Sequence, residues 1–488
     1  MTEQVKTRFV AGILWSVFSR WTAKGLGMIN VIILARLLSP EDFGIVAMAS
    51  IVINMLDSAT QTGVHLYLFR SKDQNPRLQH AVWTLTFIQA ASIALVMVLI
   101  APWVASFYGE QILIEVLYCL ALAKLLSGFN SLGMLIAQKQ LNFHLDFNFT
   151  FAVKLAYLVA TVTFAFWLQN FWAIVFGNLF SAVFGLLLGY SMHPYRPKFD
   201  VYQWRELLTF SKSTIPLSVG RFINNQADVV IMGKVAPTEF LGKYHMASNL
   251  AVMFTKELLI PAIRGITPNL ATMPHGPAYN KMLSIIIASA VYIFLPIGIG
   301  LAAVTPELVA VLLGPQWTEA APLLAWLSLY CTVGGILMFV SEQFLVLMHK
   351  EQLSNRLMWL RNGILIGSIA ATLYWLDYTM LPFMLFVSSL ISLPLTLFFV
   401  ARTLQLSAVQ LVLQWWPAIL AALLMLALLH YLAWPAVSAF LLLPAKVLLG
   451  LLSYAGALML IYYLRRKPQH SVEGLLLNRI GKKPSKSA

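Results

Sequence analysis

The sequence predicts an all-α integral membrane protein with about fourteen transmembrane helices, built as two parallel-repeat six-helix lobes plus two C-terminal helices. Three observations lead there: composition, the alternating charge of the turns, and an internal repeat. Of 488 residues, 59% are hydrophobic and only 11% charged, with a mean hydropathy of +0.78. A soluble chain carries about a quarter charged residues, so lipid is the solvent this composition suits. The 33 Lys and Arg outnumber the 19 Asp and Glu, for a net charge of +14. In a membrane chain topology accounts for such a surplus first, and no nucleic-acid partner is expected.

Turns after odd-numbered spans (LLSPED, SFYGEQ, QN, VAPTEF, WLDY) are acidic or neutral. Turns after even-numbered spans (YLFRSKDQNPRLQH, QKQLNFH, HPYRPKFDVYQWR, HKEQLSNR, ARTLQ) carry basic residues. Because positive loops stay inside, both termini are predicted to be cytoplasmic. The repeat is direct: Arg36–Ser50 (RLLSPEDFGIVAMAS) returns as Lys234–Ser248 (KVAPTEFLGKYHMAS), pairing Glu41 with Glu239 and Gly44 with Gly242. Leu117-Tyr118-Cys119 returns as Leu329-Tyr330-Cys331, and Gln140-Leu141 as Gln352-Leu353. Each match joins a helix to one six spans later, so both halves share one membrane orientation. The expected domains are 1–200 (helices 1–6), 201–405 (helices 7–12), 406–464 (helices 13 and 14) and a basic tail, 465–488.

The first span, roughly 9–35, has the ~20 apolar residues that cross a bilayer, yet carries Arg20 and Lys24 near its middle. A cation there costs ~2.5–3.5 kcal/mol on insertion scales, and residues four apart share a helical face, so this face is expected to line a wet or protein-walled space. The run is too long for a signal-peptide core and ends in no small-residue cleavage site, so it is read as an uncleaved span. Further spans are expected at roughly 43–66, 81–106, 112–137, 147–168, 171–192, 207–233 and 240–263, then 282–304, 320–347, 354–376, 380–400, 409–432 and 436–464. None of the connections is long enough for a soluble catalytic domain.

Polar stripes run along several of these helices. Lys124, Gly128, Ser131 and Gln138 follow one face of helix 4; Asp146, Thr150, Lys154, Tyr157 and Thr161 one of helix 5. Arg221, Asn224, Asn225 and Asp228 share a face of helix 7, and His245, Asn249, Lys256 and Arg264 one of helix 8. Lys212, Lys243 and Lys446, near helix ends, fit snorkelling to the interface. The Gly185–Gly189 and Gly363–Gly367 pairs fit close helix packing.

The interior is net positive, which suits an anionic substrate group: Arg20, Lys24, Arg221, Lys256, Lys124, Lys154 and Arg361 are the candidates to hold it. Asp57, Asp228 and Glu342 are candidates to carry a coupling proton or sodium ion, because low dielectric raises a carboxylate's pKa. Asn30, Asn54, Asn130, Asn224 and Asn225 are candidate sugar contacts. A purely structural reading stands beside these. Asp57 pairing with Arg20 or Lys24, and Asp228 or Glu257 pairing with Arg221 or Lys256, would only pin the bundle.

Several chemistries lack their residues. No P-loop motif occurs, and no Cys/His cluster implies a metal, so no cofactor is expected beyond H+ or Na+ coupling. The carboxylates of the acidic turns (Glu41, Asp42, Glu110, Glu239, Glu307, Glu319, Asp377) sit isolated on short loops that cannot wall a catalytic cleft, so the chain is not expected to be an enzyme. Cys119 and Cys331 lie in apolar runs and indicate no disulfide. In the tail, Val472, Leu475, Leu476 and Ile480 beside Arg479, Lys482 and Lys483 fit either an amphipathic helix on anionic lipid or a disordered flank.

Gly12–Ser16 (GILWS) followed by Ala35–Gly44 (ARLLSPEDFG) resembles the first hairpin of the polysaccharide transporter (Wzx-type oligosaccharide flippase) family. That family belongs to the multidrug/oligosaccharidyl-lipid/polysaccharide flippase superfamily, MOP. The likeness continues through Ala101–Glu110 (APWVASFYGE) and Gln138–Phe143 (QKQLNF). It implies a MOP flippase fold in the bacterial inner membrane, moving an undecaprenyl-diphosphate-linked oligosaccharide outward by alternating access. It also implies membrane lipids, a polysaccharide polymerase and a co-polymerase as partners. The diphosphate would fall to cations on helices 1, 2, 7 and 8; here those are Arg20, Lys24, Arg221 and Lys256, while helix 2 offers Asp57 instead of a base. A multidrug antiporter of the same superfamily would want an acidic or neutral cavity for cationic drugs, and a membrane polymerase or ligase would want external catalytic loops.

Overall fold

In a bilayer every backbone polar group must be satisfied within the chain, and long apolar runs achieve this as helices. The computed structural model describes residues 3–60, 63–71, 75–140, 142–258, 270, 273–274, 276–338, 344–435 and 437–465. Among them the regular elements are all helical, and nine helices are long and apolar enough to cross a membrane. Counting one bent pair as a span makes ten. The expected fourteen is not reached by that measure, partly because two long helices are too polar for it. These are α1 (Glu3–Leu37) and α9 (Trp204–Val235), which carry Arg20, Lys24, Arg221 and Asp228.

The chain divides into two compact units, Met1–His245 and Met246–Ala488. In the first, α1 and α2 (Pro40–Thr60) lead to the short α3 (Val64–Arg70), then α4 (Pro76–Tyr108), α5 (Leu113–Gly128) and α6 (Gly133–Lys139). Then come α7 (Phe143–Leu168), α8 (Trp172–Met192), α9, and the start of α10 (Thr238–Phe254), which crosses the division. The second unit holds α11 (Pro277–Ala303), α12 (Thr305–Leu312), α13 (Ala320–Met338), α14 (Glu351–Trp375) and α15 (Leu381–Thr403). It closes with α16 (Ala408–Leu413), α17 (Trp416–Tyr431) and α18 (Ala439–Leu464).

The repeat reappears as packing. In the first unit α4 packs on α5, α5 on α8 and α7 on α8; in the second, the equivalent α11 packs on α13, α13 on α15 and α14 on α15. The two added helices join as a layer, α17 on α11 and α18 on α17. The repeat restarts at α9, but α9 packs on α2 and α4 and so belongs to the first compact unit. The core of the second unit forms around α11, where Leu283, Ile287 and Val291 recur at four-residue spacing against Leu397 and Val400 of α15, Leu404 just past its end and Ala418 of α17.

Large apolar side chains are as common outside as inside, as expected where lipid is the solvent: Leu95, Leu99, Leu187, Ile391 and Leu452 are all exposed. Trp103, Trp167, Tyr374, Trp375 and Tyr431 are also exposed, each close to the end of its helix that leads into a predicted outer turn. That is the placement of an aromatic belt at a membrane–water interface.

Three local expectations need correction. The helix expected at 43–66 stops at Thr60, and α3 starts after Gly63, whose left-handed φ of 63° ends helical continuity. The helix expected at 112–137 is two, α5 and α6, bent by 50° across the break after Gly128. Its stripe from Lys124 to Gln138 therefore does not lie on one helical face; Gln138 instead donates to Asp146 at the start of α7, 2.8 Å away. Finally, Gly185 and Gly189 do pack on Val153, Phe149 and Ser131, whereas a Cβ at Gly363 or Gly367 would meet nothing within 4 Å.

The segment between the repeats runs extended across the start of α4. Arg77 grips Asp200 through two hydrogen bonds of 2.9 and 3.2 Å, and His80 Nδ1 meets the Tyr195 hydroxyl at 3.0 Å. The bond from the Arg77 guanidinium holds the half-buried Asp200 carboxyl below its ordinary range.

Candidate functional site

Membrane depth makes each buried or mid-helix charge costly, so its partner indicates what it is for. On α1, Arg20 and Lys24 are both exposed, one turn apart, and Lys154 is exposed midway along α7. The two helices are tied together below these cations. Asn30 is 3% exposed, and its Oδ1 accepts a 2.6 Å hydrogen bond from Thr161. Asn30 thus serves helix packing and has no surface to offer a sugar in this conformation. At the other end of the contact, Trp15 packs on His144 and Phe147, and Phe18 on Phe147.

Asp57 of α2 is engaged by Lys124 of α5, Nζ to Oδ1 at 2.5 Å, with the two side chains 39% and 24% exposed. A candidate coupling carboxylate and a candidate phosphate cation are therefore one ion pair, formed with Lys124 where Arg20 or Lys24 was expected. Asn54, one turn earlier on α2, is exposed. On α9, Arg221 and Asn225 are exposed and Asn224 half-buried, while Asp228 is buried and accepts a 2.5 Å hydrogen bond from the Tyr244 hydroxyl of α10. The polar face of α9 is thus graded, open at Arg221 and closed two turns on at Asp228. Asn130 lies in the break between α5 and α6; its backbone carbonyl accepts from Trp83 Nε1 at 3.1 Å.

In the second unit, Lys256 is half-buried with its ammonium 5.4 Å from the ring centre of Tyr330, a cation–π contact between α10's end and α13. Arg361 is 7% exposed on α14, beside buried Asn362, so it sits within the helix packing. Glu342 and Arg264 lie outside the described residues. A concave site of about 490 Å³ in this unit is lined by Asn280, Lys281, Ser284, Gln405, Gln410 and Gln414, none of them among the candidates.

Two of the three lysines near helix ends do more than snorkel. Lys243 is 6% exposed and paired with Glu239 at 2.7 Å, and Lys446 is paired with Glu307 at 2.5 Å. Glu110 accepts from the Thr238 hydroxyl, and Asp42 accepts from the backbone N–H of Phe171 at 2.8 Å. The carboxylates of the acidic turns expected to be isolated are therefore largely fasteners at their end of the bundle. Sequence reasoning missed Tyr244, Tyr330 and Thr161 as partners. Tyr330 had a visible signal, the repeated Leu-Tyr-Cys triplet, and Thr161 had its place in the polar stripe of helix 5; Tyr244 had none.

Because the Asp57–Lys124 pair is internally neutral, we expect it to hold α2 against α5 while Asp57 is charged. Lys124→Ala should lower the amount of protein in the membrane, and the swap Asp57→Lys with Lys124→Asp should restore it to within about twofold, as a bridge of this exposure contributes little beyond charge balance. Quantitative immunoblotting of membranes reads this; a swap no better than the single variant would count against it.

Fold and site together define a multi-pass helical membrane protein with cations exposed on membrane-length helices. The chain belongs to the family described as polysaccharide biosynthesis protein, whose pattern matches residues 33–322. Among its relatives, the succinoglycan biosynthesis transport protein ExoT of Rhizobium meliloti is 26% identical over 67% of each chain. The lipopolysaccharide biosynthesis protein WzxC of Escherichia coli is 22% identical over 68% of each. The fold is similar to that of the lipid II flippase MurJ in an inward closed conformation, with a TM-score of 0.67 at 12% identity, over 92% of this chain and 99% of that one.

Proposed function

We propose that this protein is a flippase that moves an undecaprenyl-diphosphate-linked oligosaccharide from the inner to the outer leaflet of the bacterial inner membrane. Its product would feed exopolysaccharide, capsule or O-antigen assembly by a polymerase. The carrying observation is the exposure of Arg20, Lys24, Lys154 and Arg221 within membrane-length helices, where cations are kept only for a purpose. A lipid diphosphate supplies one: it is anionic, cannot cross hydrocarbon alone, and is gripped bidentately by Arg and as a point charge by Lys. The names of the relatives, in succinoglycan transport and lipopolysaccharide biosynthesis, support cargo of this class. Arg20, Lys24 and Arg221 would hold the diphosphate, with Asn54, Asn224 and Asn225 offering amides to the glycan.

Deleting the gene should leave lipid-linked oligosaccharide in the inner leaflet, protected from glycan-cleaving enzymes added outside, with surface polysaccharide lost. Normal surface polysaccharide in the deletion strain would overturn the proposal. Coupling to an ion gradient would run through Asp57 or Asp228. Their Asn variants should weaken dependence of export on the gradient, and export that persists with the gradient collapsed would make both carboxylates structural.

A further inference from the structure

The two copies of the internal repeat meet each other. Pro40 and Gly44 open α2; the equivalent residues of the second copy, Thr238 and Gly242, open α10. A Cβ on Gly44 would overlap the carbonyl of Thr238, and a Cβ on Gly242 would overlap the carbonyl of Pro40 and stand 3.0 Å from the Gly44 nitrogen. Each glycine thus faces the first-turn carbonyl of the other copy. The contact is reciprocal, like the two halves of an isologous dimer interface folded into one chain. Backbone meets backbone there, and only a hydrogen on each α-carbon fits the gap.

The surroundings clamp this contact. Ser39 and Asp42 cap α2 reciprocally, backbone N–H of Ser39 to Asp42 Oδ2 at 2.9 Å and backbone N–H of Asp42 to Ser39 Oγ at 3.2 Å. The other turn is held against the end of α4: Thr238 donates to Glu110, Lys234 lies 5.1 Å from the ring centre of Phe107, and Gly233 faces the Tyr108 ring. One turn inward from Gly44, Ala47 and Met48 are fully buried.

We infer that the Gly44–Thr238 and Gly242–Pro40 contacts form a two-part latch that shuts this protein at the end bearing the acidic turns, and that the latch must part for that end to open. Backbone contacts suit the task. They exclude water when closed, yet contain no large side chain that would have to be pulled from a pocket when they separate. The latch rests on the transport proposal only for its purpose, since its opening can be read without any cargo.

The test uses the full chain with Cys119→Ser, Cys331→Ser and Ala47→Cys, in right-side-out spheroplasts treated with a membrane-impermeant maleimide. With both glycines present, Cys at 47 should be protected. Gly44→Ala and Gly242→Ala should each raise its labelling rate from outside at least tenfold. Gly363→Ala, whose added methyl meets nothing within 4 Å, should leave it unchanged. Should the latch-glycine variants fail to insert, Thr238→Val decides: losing its bond to Glu110 should raise labelling about fivefold, the size of one net hydrogen bond. Protection that persists in every latch variant that inserts overturns the inference. So does a response to one glycine but not the other, or labelling only from the cytoplasmic face. The assay uses no substrate, so a wrong cargo assignment would leave its outcome untouched.

Discussion

Replacing Arg20 and Arg221 together by alanine is expected to abolish export of the lipid-linked glycan while the protein stays at its normal level in the membrane. Both side chains are exposed, so truncation leaves no cavity and little stability is lost. What goes is charge-assisted hydrogen bonding to phosphate, about 1.5–3 kcal/mol for each guanidinium, or roughly ten- to a hundredfold in binding per residue. Arg→Lys at both positions should recover only part, because an ammonium restores the charge but not the bidentate fork. Surface polysaccharide and inner-leaflet lipid-linked oligosaccharide, measured in the same cells, check this. Full export by the double alanine variant would remove the phosphate-holding role from these two residues.

The second large effect concerns stability. Lys446 of α18 and Glu307 of α12 are each 12% exposed and form a close pair, with the ammonium also 5.3 Å from the ring centre of Trp434. Glu307 Oε2 is buried with no hydrogen-bond partner, so the lysine is its carboxylate's main compensation. Lys446→Ala should therefore cost about 3–5 kcal/mol, the usual penalty for stranding one member of a buried pair. The detergent-solubilised variant should aggregate at a clearly lower temperature. Adding Glu307→Gln should recover much of the loss, since no uncompensated charge then remains. If Lys446→Ala melted like the parent, the pair would have to be solvated in the membrane and irrelevant to holding α18.

Much of this architecture can be read from the chain one residue at a time. Hydropathy marks the spans because lipid acts on each side chain separately. The alternating turns place Glu41, Asp42, Glu110, Glu239 and Phe171 at a common end, and there Asp42 binds Phe171 and Thr238 binds Glu110. The cations Arg20, Lys24 and Arg221 stand out because they are expensive where they are. Partner choice was not legible. Asp57 was expected to pair with Arg20 or Lys24, and α2 meets α5 at the height that gives it Lys124. Asp228 had an arginine two turns away on its own helix and takes up Tyr244 from the next one.

By itself, then, the sequence determined the membrane setting, the helical class, the doubled plan and the sites of costly charge. All four follow from local polarity and from self-similarity along the chain. Only tertiary structure decided that Lys124 answers Asp57, that Asn30 is spent on Thr161, that Gly363 faces open space, and that Gly44 and Gly242 meet across the repeat. Those outcomes depend on the rotation and height of one helix against another. Such offsets are set by many packed side chains at once, and no single window of sequence contains them.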